Sequence, residues 1–513
     1  VGVASLFQRG ASHFPDRTCL VDGIGSKTYR EVDASSNAIA AQLQLSGLGA
    51  AHCAVYSGNS ALAFECILGI FRAGAVFVPV NSKNHVSDNV GLIGSFDVEV
   101  LFYDARFSRE VEIVRENCPG ITTFICMNGE GPVGEALDAW IRNPNALPAS
   151  ERHDPDRIVS IYSTGGTTGL PKGVTFTSRT WDAMAANYFP HLPRKGPSSY
   201  LIVSPITHAA GTIGLLMLAE GATLIIHDGF NAARIFDEIE RSKVTHLYLP
   251  PTAIYMLLSE PDLRERDFSS LQGFIYTSAP MSVDRLKECL DVFGPVMLQF
   301  WGQTEAPIFC TCLPPELHDR EGPGAGRLAS CGQRTLLTEV GVMDPEGRLL
   351  PAGERGELVV RGDLVMSGYY RNPEATAEAS RYGWHHTGDV GFMDEDGFVY
   401  IVDRLKDMII TGGFNVYPAE VEAILMQHPA IQDCAVIGLP DEKWGEAVTA
   451  FVEVRTGRQA ETEELIAFCK DKLGSVKTPK SVEIVGELPR TPVGKIAKKE
   501  IRAQYWQNTG RSI

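Results

Sequence analysis

Short apolar runs with β character alternate with helical patterns through about the first 300 residues of the chain. Cys53–Ser57, Ala75–Val80, Val98–Tyr103, Thr122–Cys126, Tyr200–Pro205, Ala222–His227, Thr245–Pro250, Gly273–Thr277 and Val296–Trp301 read as strands. Between several of them, Ala61–Ala73, Ala232–Arg241 and Val283–Val292 carry helical spacing. This alternation predicts parallel sheets covered on both faces by helices. In such sheets ligands sit beyond the carboxyl ends of the strands.

The pattern changes after about residue 335. Strands become close neighbours joined by turn chemistry at Asp344-Pro-Glu-Gly347, Pro351-Ala-Gly-Glu354 and Asp394-Glu-Asp-Gly397. That predicts hairpins and a small β subdomain. A second change follows Asp403-Arg-Leu-Lys-Asp407. A helix is predicted from Pro418, a residue suited to a first helical turn, to about His428. Strands near Ala435–Gly438 and Thr449–Val454, a helix at Thr462–Leu473 and a strand at Ser481–Val485 complete a compact α+β unit.

Size and charge narrow the picture. The chain has 513 residues, too many for one ordinary domain. Hydrophobic residues make up 44% and charged residues 21%, which excludes a disordered or collagen-like chain. The net charge of −17 argues against a nucleic-acid binder. The deficit is uneven. Lys470 to Arg511 carries a local excess of +6, which suggests an anionic ligand such as phosphate or simply a solvated helical face. The eleven cysteines show no spacing of a disulfide framework or zinc site, and they read as reduced thiols. No basic-then-apolar leader opens the chain, and no apolar run approaches ~18 residues. The expectation is a soluble, cytoplasmic protein.

The most informative stretch is Ser163-Thr-Gly-Gly-Thr-Thr-Gly-Leu-Pro-Lys-Gly173, which follows the strand-like run Arg157–Tyr162. Glycines let backbone N–H groups approach an anion, and threonine hydroxyls add donors. Lys172 can neutralise phosphate charge. A Walker A loop would place Ser or Thr after the lysine and open a helix; here Gly173 and the β-like Val174-Thr-Phe-Thr follow. The loop therefore reads as a phosphate cradle of another kind.

With its flanks, this loop resembles the signature of the adenylate-forming superfamily, which includes acyl-CoA synthetases, aryl-CoA ligases and peptide-synthetase adenylation domains. Gly165 stands where a serine is usual. Further elements are similar, in the family's order. Ser278-Ala-Pro280 resembles the adenine-site turn, with Ser278 where glycine is common. Phe300-Trp-Gly-Gln-Thr-Glu305 resembles the aromatic-Gly-x-Thr-Glu element, with Trp301 for the usual tyrosine. Thr387-Gly-Asp389 resembles the ribose element, and Asp403-Arg-Leu-Lys406 the hinge. Gly412-Gly-Phe-Asn-Val-Tyr-Pro418 resembles the loop beyond the hinge, and Thr491-Pro-Val-Gly-Lys495 the element with a C-terminal catalytic lysine.

The resemblance implies an α/β fold. Its large N-terminal domain, residues 1–403, would hold two stacked doubly wound sheets and a β subdomain. A small mobile α+β lid would span residues 404–513. It also implies roles. Thr164, Gly165, Gly166, Thr167, Thr168, Gly169 and Lys172 would bind the phosphates of ATP. Ser278, Ala279, Pro280, Trp301 and Gly302 would surround adenine. Asp389 can accept from both ribose hydroxyls, and Arg404 is a fixed cation for ribose or phosphate. Thr304 and Glu305 suit Mg²⁺, which needs only one or two carboxylates when phosphates and water complete its shell. Lys495 would bridge carboxylate and α-phosphate as charge develops. Lys406, Gly412 and Gly413 would serve the hinge and the entry of coenzyme A. His208, Ala209, Ala210, Gly211 and Tyr276 would lie on the acyl side.

The chemistry explains why such residues recur. A carboxylate is a poor electrophile until its oxygen leaves as AMP. Both adenylation and thiol attack build negative charge, so positioned cations and donors are required. After His208 come Ala209, Ala210 and Gly211, with no acid to pair an α-ammonium; this disfavours an amino-acid substrate. The expected substrates are a hydrophobic fatty, aryl or polycyclic acid, ATP and CoA, handled by a monomer or homodimer. The alternative is an enzyme that only adenylates, or loads a separate carrier protein. A non-catalytic protein of the same fold would be expected to lack Lys495 or Glu305.

Overall fold

The computed structural model describes residues 2–149, 154–164, 172–412, 414–441, 443–491 and 494–506. Among these residues the strands form sheets of nine, eight, five and four strands. The two largest are mainly parallel, as the strand–helix alternation predicts. Their edges are not: Met297–Trp301 pairs antiparallel with Thr311–Leu313, and Ile158–Ser163 antiparallel with Gly173–Thr177. Met297–Trp301 and Thr311–Leu313 follow one another without an intervening helix, so no crossover forces them parallel.

Alternation along single strands shows how the two sheets stack. In His52–Ser57, Cys53 and Val55 enter the largest apolar cluster, while Ala54 and Tyr56 enter another. In Ser199–Ile202, Tyr200 and Ile202 enter that same largest cluster, while Leu201 faces the other way. The largest cluster is therefore the layer between the sheets. It also takes in the helices Gly2–His13, Ala61–Ala73 and Ala209–Met217. Two capping boxes fix helix starts near this layer: Thr28 with Glu31, and Thr177 with Thr180.

The β subdomain forms by the predicted hairpin turns. Gly347 N–H donates to Asp344 C=O, Glu354 to Pro351 and Gly397 to Asp394. Gly347 and Gly397 have φ of 85° and 82°, the left-handed conformation such turns need. Strands Glu339–Met343, Gly356–Arg361, His385–Met393 and Val399–Arg404 make the four-stranded antiparallel sheet.

The C-terminal α+β unit is present with longer strands than expected, Ile431–Asp441 and Gly445–Val454. Its first helix is shorter than expected, Pro418–Leu425. Asp403 ties the two parts together: its carboxylate accepts from Ala419 N–H at 2.8 Å, the first turn of that helix. The second apolar cluster contains residues of both parts, Ile254 and Leu286 with Val421 and Ile431. All eleven cysteines are buried free thiols. No helix among the described residues is long and apolar enough to cross a membrane.

Candidate active site

Asp389 is the centre of a cluster of polar side chains. It is 3% exposed, on the strand His385–Met393. Trp301 Nε1 donates to its Oδ2 at 3.0 Å, and Arg404 Nε lies 2.6 Å from its Oδ1. Burial raises the carboxyl pKa, while Arg404 and then Trp301 pull it back. The sequence motifs of Trp301, Asp389 and Arg404 thus meet at one carboxylate. Trp301 is 7% exposed and packs in the layer between the sheets, so most of its face is core rather than open platform. Gln303 Nε2 donates to Thr387 C=O at 3.3 Å and ties the same two motifs together again.

Lys495 approaches this cluster from the small domain. Its loop is a turn closed on Thr491, which accepts from Gly494 N–H on its carbonyl and from Lys495 N–H on its hydroxyl. Gly494 has φ of 84°, and a Cβ there would come 3.3 Å from Thr252 Oγ1 of the large domain. The loop tip therefore touches the large domain. Burial and then the Arg404 charge lower the ammonium pKa, Asp389 opposes both, and the net value is about 8. His208 caps the helix Ala209–Met217, with Nδ1 2.9 Å from Thr207 Oγ1. Its surface is exposed, yet the surrounding protein and then the Lys495 charge push its pKa down to about 4. It is a neutral imidazole at neutral pH, and it senses the same lysine that Asp389 does.

The third group links the phosphate loop to the Thr304-Glu305 element. Thr164 N–H donates to Lys172 C=O at 3.0 Å, which closes the base of the loop. Lys172 Nζ lies 4.9 Å over the ring of Tyr369, and the Tyr369 hydroxyl donates to Glu305 Oε1 at 2.7 Å. Sequence reading did not single out Tyr369; its only local signal is a position in Ser367-Gly-Tyr-Tyr370. Glu305 belongs to no group of three or more His, Cys, Asp or Glu side chains that could hold a metal ion among the described residues. That suits Mg²⁺ held largely by phosphates and water, with Thr304, half-buried, beside it. Gly302 has a backbone reason as well: a Cβ there would meet Ile308 N at 2.5 Å.

Other expected residues divide. Ser278 has φ of 79°, the left-handed region where glycine costs nothing, and its hydroxyl lies 3.2 Å from Tyr248 Oη. Ala279 is half-buried and Pro280 exposed beside it. Tyr276 is fully buried. It points to the opposite face of its strand from Ile275, and its hydroxyl is bound to Gln299 and His318. Gly211 and Ala210 do not open a pocket. A Cβ on Gly211 would fall 1.8 Å from Ile206 C=O, and Ala210 is 1% exposed in the core. Ala209 alone of the three stays half-exposed. Gly412 has φ of 57° and packs under Trp444, and Lys406 is exposed in the 3₁₀ turn Leu405–Asp407. Gly165, Gly166, Thr167, Thr168, Gly169 and Gly413 lie outside the described residues.

Part of the basic C-terminal excess is paired within the small domain. Lys477 pairs with Glu420, Arg490 with Asp433 and Glu453, Lys498 with Glu422, and Arg502 with Asp407. The charge pattern thus marks ion pairs that hold the small domain, with Lys495 the member that lies within electrostatic reach of Asp389.

Comparison with known proteins supplies the family. The AMP-binding enzyme model matches residues 7–370, and the AMP-binding enzyme C-terminal domain model matches residues 420–495. The chain belongs to the adenylate-forming family of AMP-binding enzymes. It is 39% identical to the medium/long-chain-fatty-acid–CoA ligase FadD8 of Mycobacterium tuberculosis, over 75% of this chain and 69% of that protein. It is 35% identical to a feruloyl-CoA synthase of Amycolatopsis sp, over 98% and 99%. The solved structure of the amide bond synthetase McbA from Marinactinospora thermotolerans superposes with a TM-score of 0.89 at 29% identity, covering 98% of this chain and all of that one.

Proposed function

We propose that this enzyme joins ATP and a carboxylic acid into an acyl adenylate, releases pyrophosphate, and passes the acyl group to the thiol of coenzyme A. The observation that carries this reading is that Lys495, from the small domain, lies within electrostatic reach of His208 and of Asp389, which Trp301 and Arg404 hold. The family it belongs to and the CoA ligases among its relatives support the same reading.

The residues divide the work. Asp389, oriented by Trp301 and Arg404, accepts from the ribose hydroxyls. Lys172 and the loop that Thr164 closes receive the phosphates, and Ser278, Ala279 and Pro280 form the adenine turn. Glu305 with Thr304 holds Mg²⁺, which supplies charge neutralisation at the phosphates. Lys495 offsets the charge that builds as the carboxylate attacks the α-phosphate. Neutral His208 lies beside the acyl group, where an uncharged imidazole spares an apolar acid a buried cation. The small domain, residues 404–513, then turns about the segment near Lys406 and brings Gly412 and Gly413 to the thiol. The acid is a hydrophobic fatty, aryl or polycyclic one.

Pyrophosphate exchange over a panel of carboxylic acids, with and without CoA, tests the reading. Acid-dependent exchange followed by CoA-dependent AMP release supports it. Exchange with no CoA-dependent release, but with transfer to a carrier protein or an amine, would replace CoA as the acceptor. No exchange with any acid would refute adenylation.

A further inference from the structure

We propose that Tyr369 is a positioning residue that keeps the cation of the phosphate loop and the carboxylate of the Thr304-Glu305 element apart, so that Lys172 stays free for the phosphates of ATP. The inference rests on the nucleotide-binding reading above.

The backbone puts the ring where it must be. Gly368–Tyr369 pairs antiparallel with Val174–Thr175, the strand that starts directly after Lys172. Thr175 Oγ1 donates to Gly368 C=O at 2.6 Å, and Tyr369 N–H donates to Thr376 Oγ1 at 2.9 Å. A Cβ at Gly368 would stand 3.0 Å from Thr376, so that side is closed as well. The ring is thus held beside the root of Lys172 while its hydroxyl reaches Glu305 at 2.7 Å. Met366 N–H donates to Glu305 C=O at 2.8 Å and holds the partner's backbone in place.

The chemistry of the phenol explains the arrangement. A lysine and a glutamate this close to one ring would otherwise form an ion pair, and each would cancel the charge the other site needs. The phenol satisfies Glu305 with a neutral donor and leaves its negative charge intact. A phenol ordinarily keeps its proton at neutral pH, so the hydroxyl stays a donor to Glu305. Lys172 rests against the ring face, 4.9 Å from its centre, in a cation–π contact that costs little to break when phosphate arrives.

Calorimetry of ATP binding to the full-length enzyme, with a chelator and no divalent ion, provides the test. Tyr369→Phe keeps the ring and removes the donor, so Glu305 turns to Lys172 and ATP should bind about tenfold more weakly. Glu305→Gln removes the competing carboxylate. Its gain in ATP affinity should be at least ~5-fold larger in the Tyr369→Phe background than in the wild type, the signature of coupling rather than general damage. Tyr369→Leu should show the same coupling and serves if the Phe variant does not fold. Wild-type affinity in Tyr369→Phe, or an equal gain from Glu305→Gln in both backgrounds, would overturn the separator role. Failure of the wild type itself to bind ATP would instead refute the nucleotide reading, and this inference with it.

Discussion

Trp301 donates its indole N–H to the carboxylate of Asp389 at 3.0 Å, across 88 residues of sequence. The residue expected to carry adenine also orients the residue expected to carry ribose. Trp301→Phe keeps a flat ring but loses the donor and part of the indole's packing volume. A hydrogen bond to a charged group contributes ~1.5–3 kcal/mol, so the KM for ATP should rise about tenfold or more. Melting temperature should shift by only a few degrees. An unchanged KM would mean that Arg404 alone orients Asp389.

Lys495 sets an alkaline limit on adenylation. Its pKa is lowered to about 8, chiefly by burial. The cation is present below that value and lost above it. Pyrophosphate exchange should therefore decline as pH rises through about 8. Lys495→Arg, charged at all these pH values, should move that limb upward. Lys495→Ala should depress adenylate formation by ~10²-fold while leaving thioester formation from preformed adenylate comparatively intact. Equal loss in both half-reactions would remove the assignment.

The segment after His208 separates packing from specificity. Gly211→Ala would drive a methyl into Ile206 C=O, 1.8 Å from the ideal Cβ position, and should destabilise by ~2 kcal/mol or more. Thermal melting reads that directly. Ala209→Phe, at the half-exposed first position of the helix, should fold and shift preference toward shorter acids. A substrate profile identical to wild type would place the acyl pocket elsewhere.

A hinge near Lys406 predicts a split between half-reactions. Lys406→Pro fixes one φ near −65° and restricts Leu405 before it. The substitution should slow CoA-dependent AMP release and spare pyrophosphate exchange. Rapid-quench measurement of both steps decides this. Wild-type rates in both would exclude Lys406 as the pivot.

The sequence by itself determined the layered α/β class, the hairpin turns, the second small unit and the order of the chemical motifs. Each is a local property: strand runs against helix spacing, glycine at turns, a glycine-rich loop before a lysine. Which side of a strand a residue faces was not local. Tyr276 and Ile275 are adjacent apolar residues, and only the placement of the two sheets sends one into the layer between them and the other away. The same holds for Ala210 and Gly211, whose smallness reads as an open pocket in one dimension. In three dimensions it is the room that Ile206 and the helix start require. Tyr369 had no visible partner in sequence, because Glu305 lies 64 residues away. Strand pairing with Val174–Thr175 brings it to Lys172. The basic tail shows the same limit: composition counts charges, whereas folding decides which are neutralised by neighbours and leaves Lys495 within electrostatic reach of Asp389.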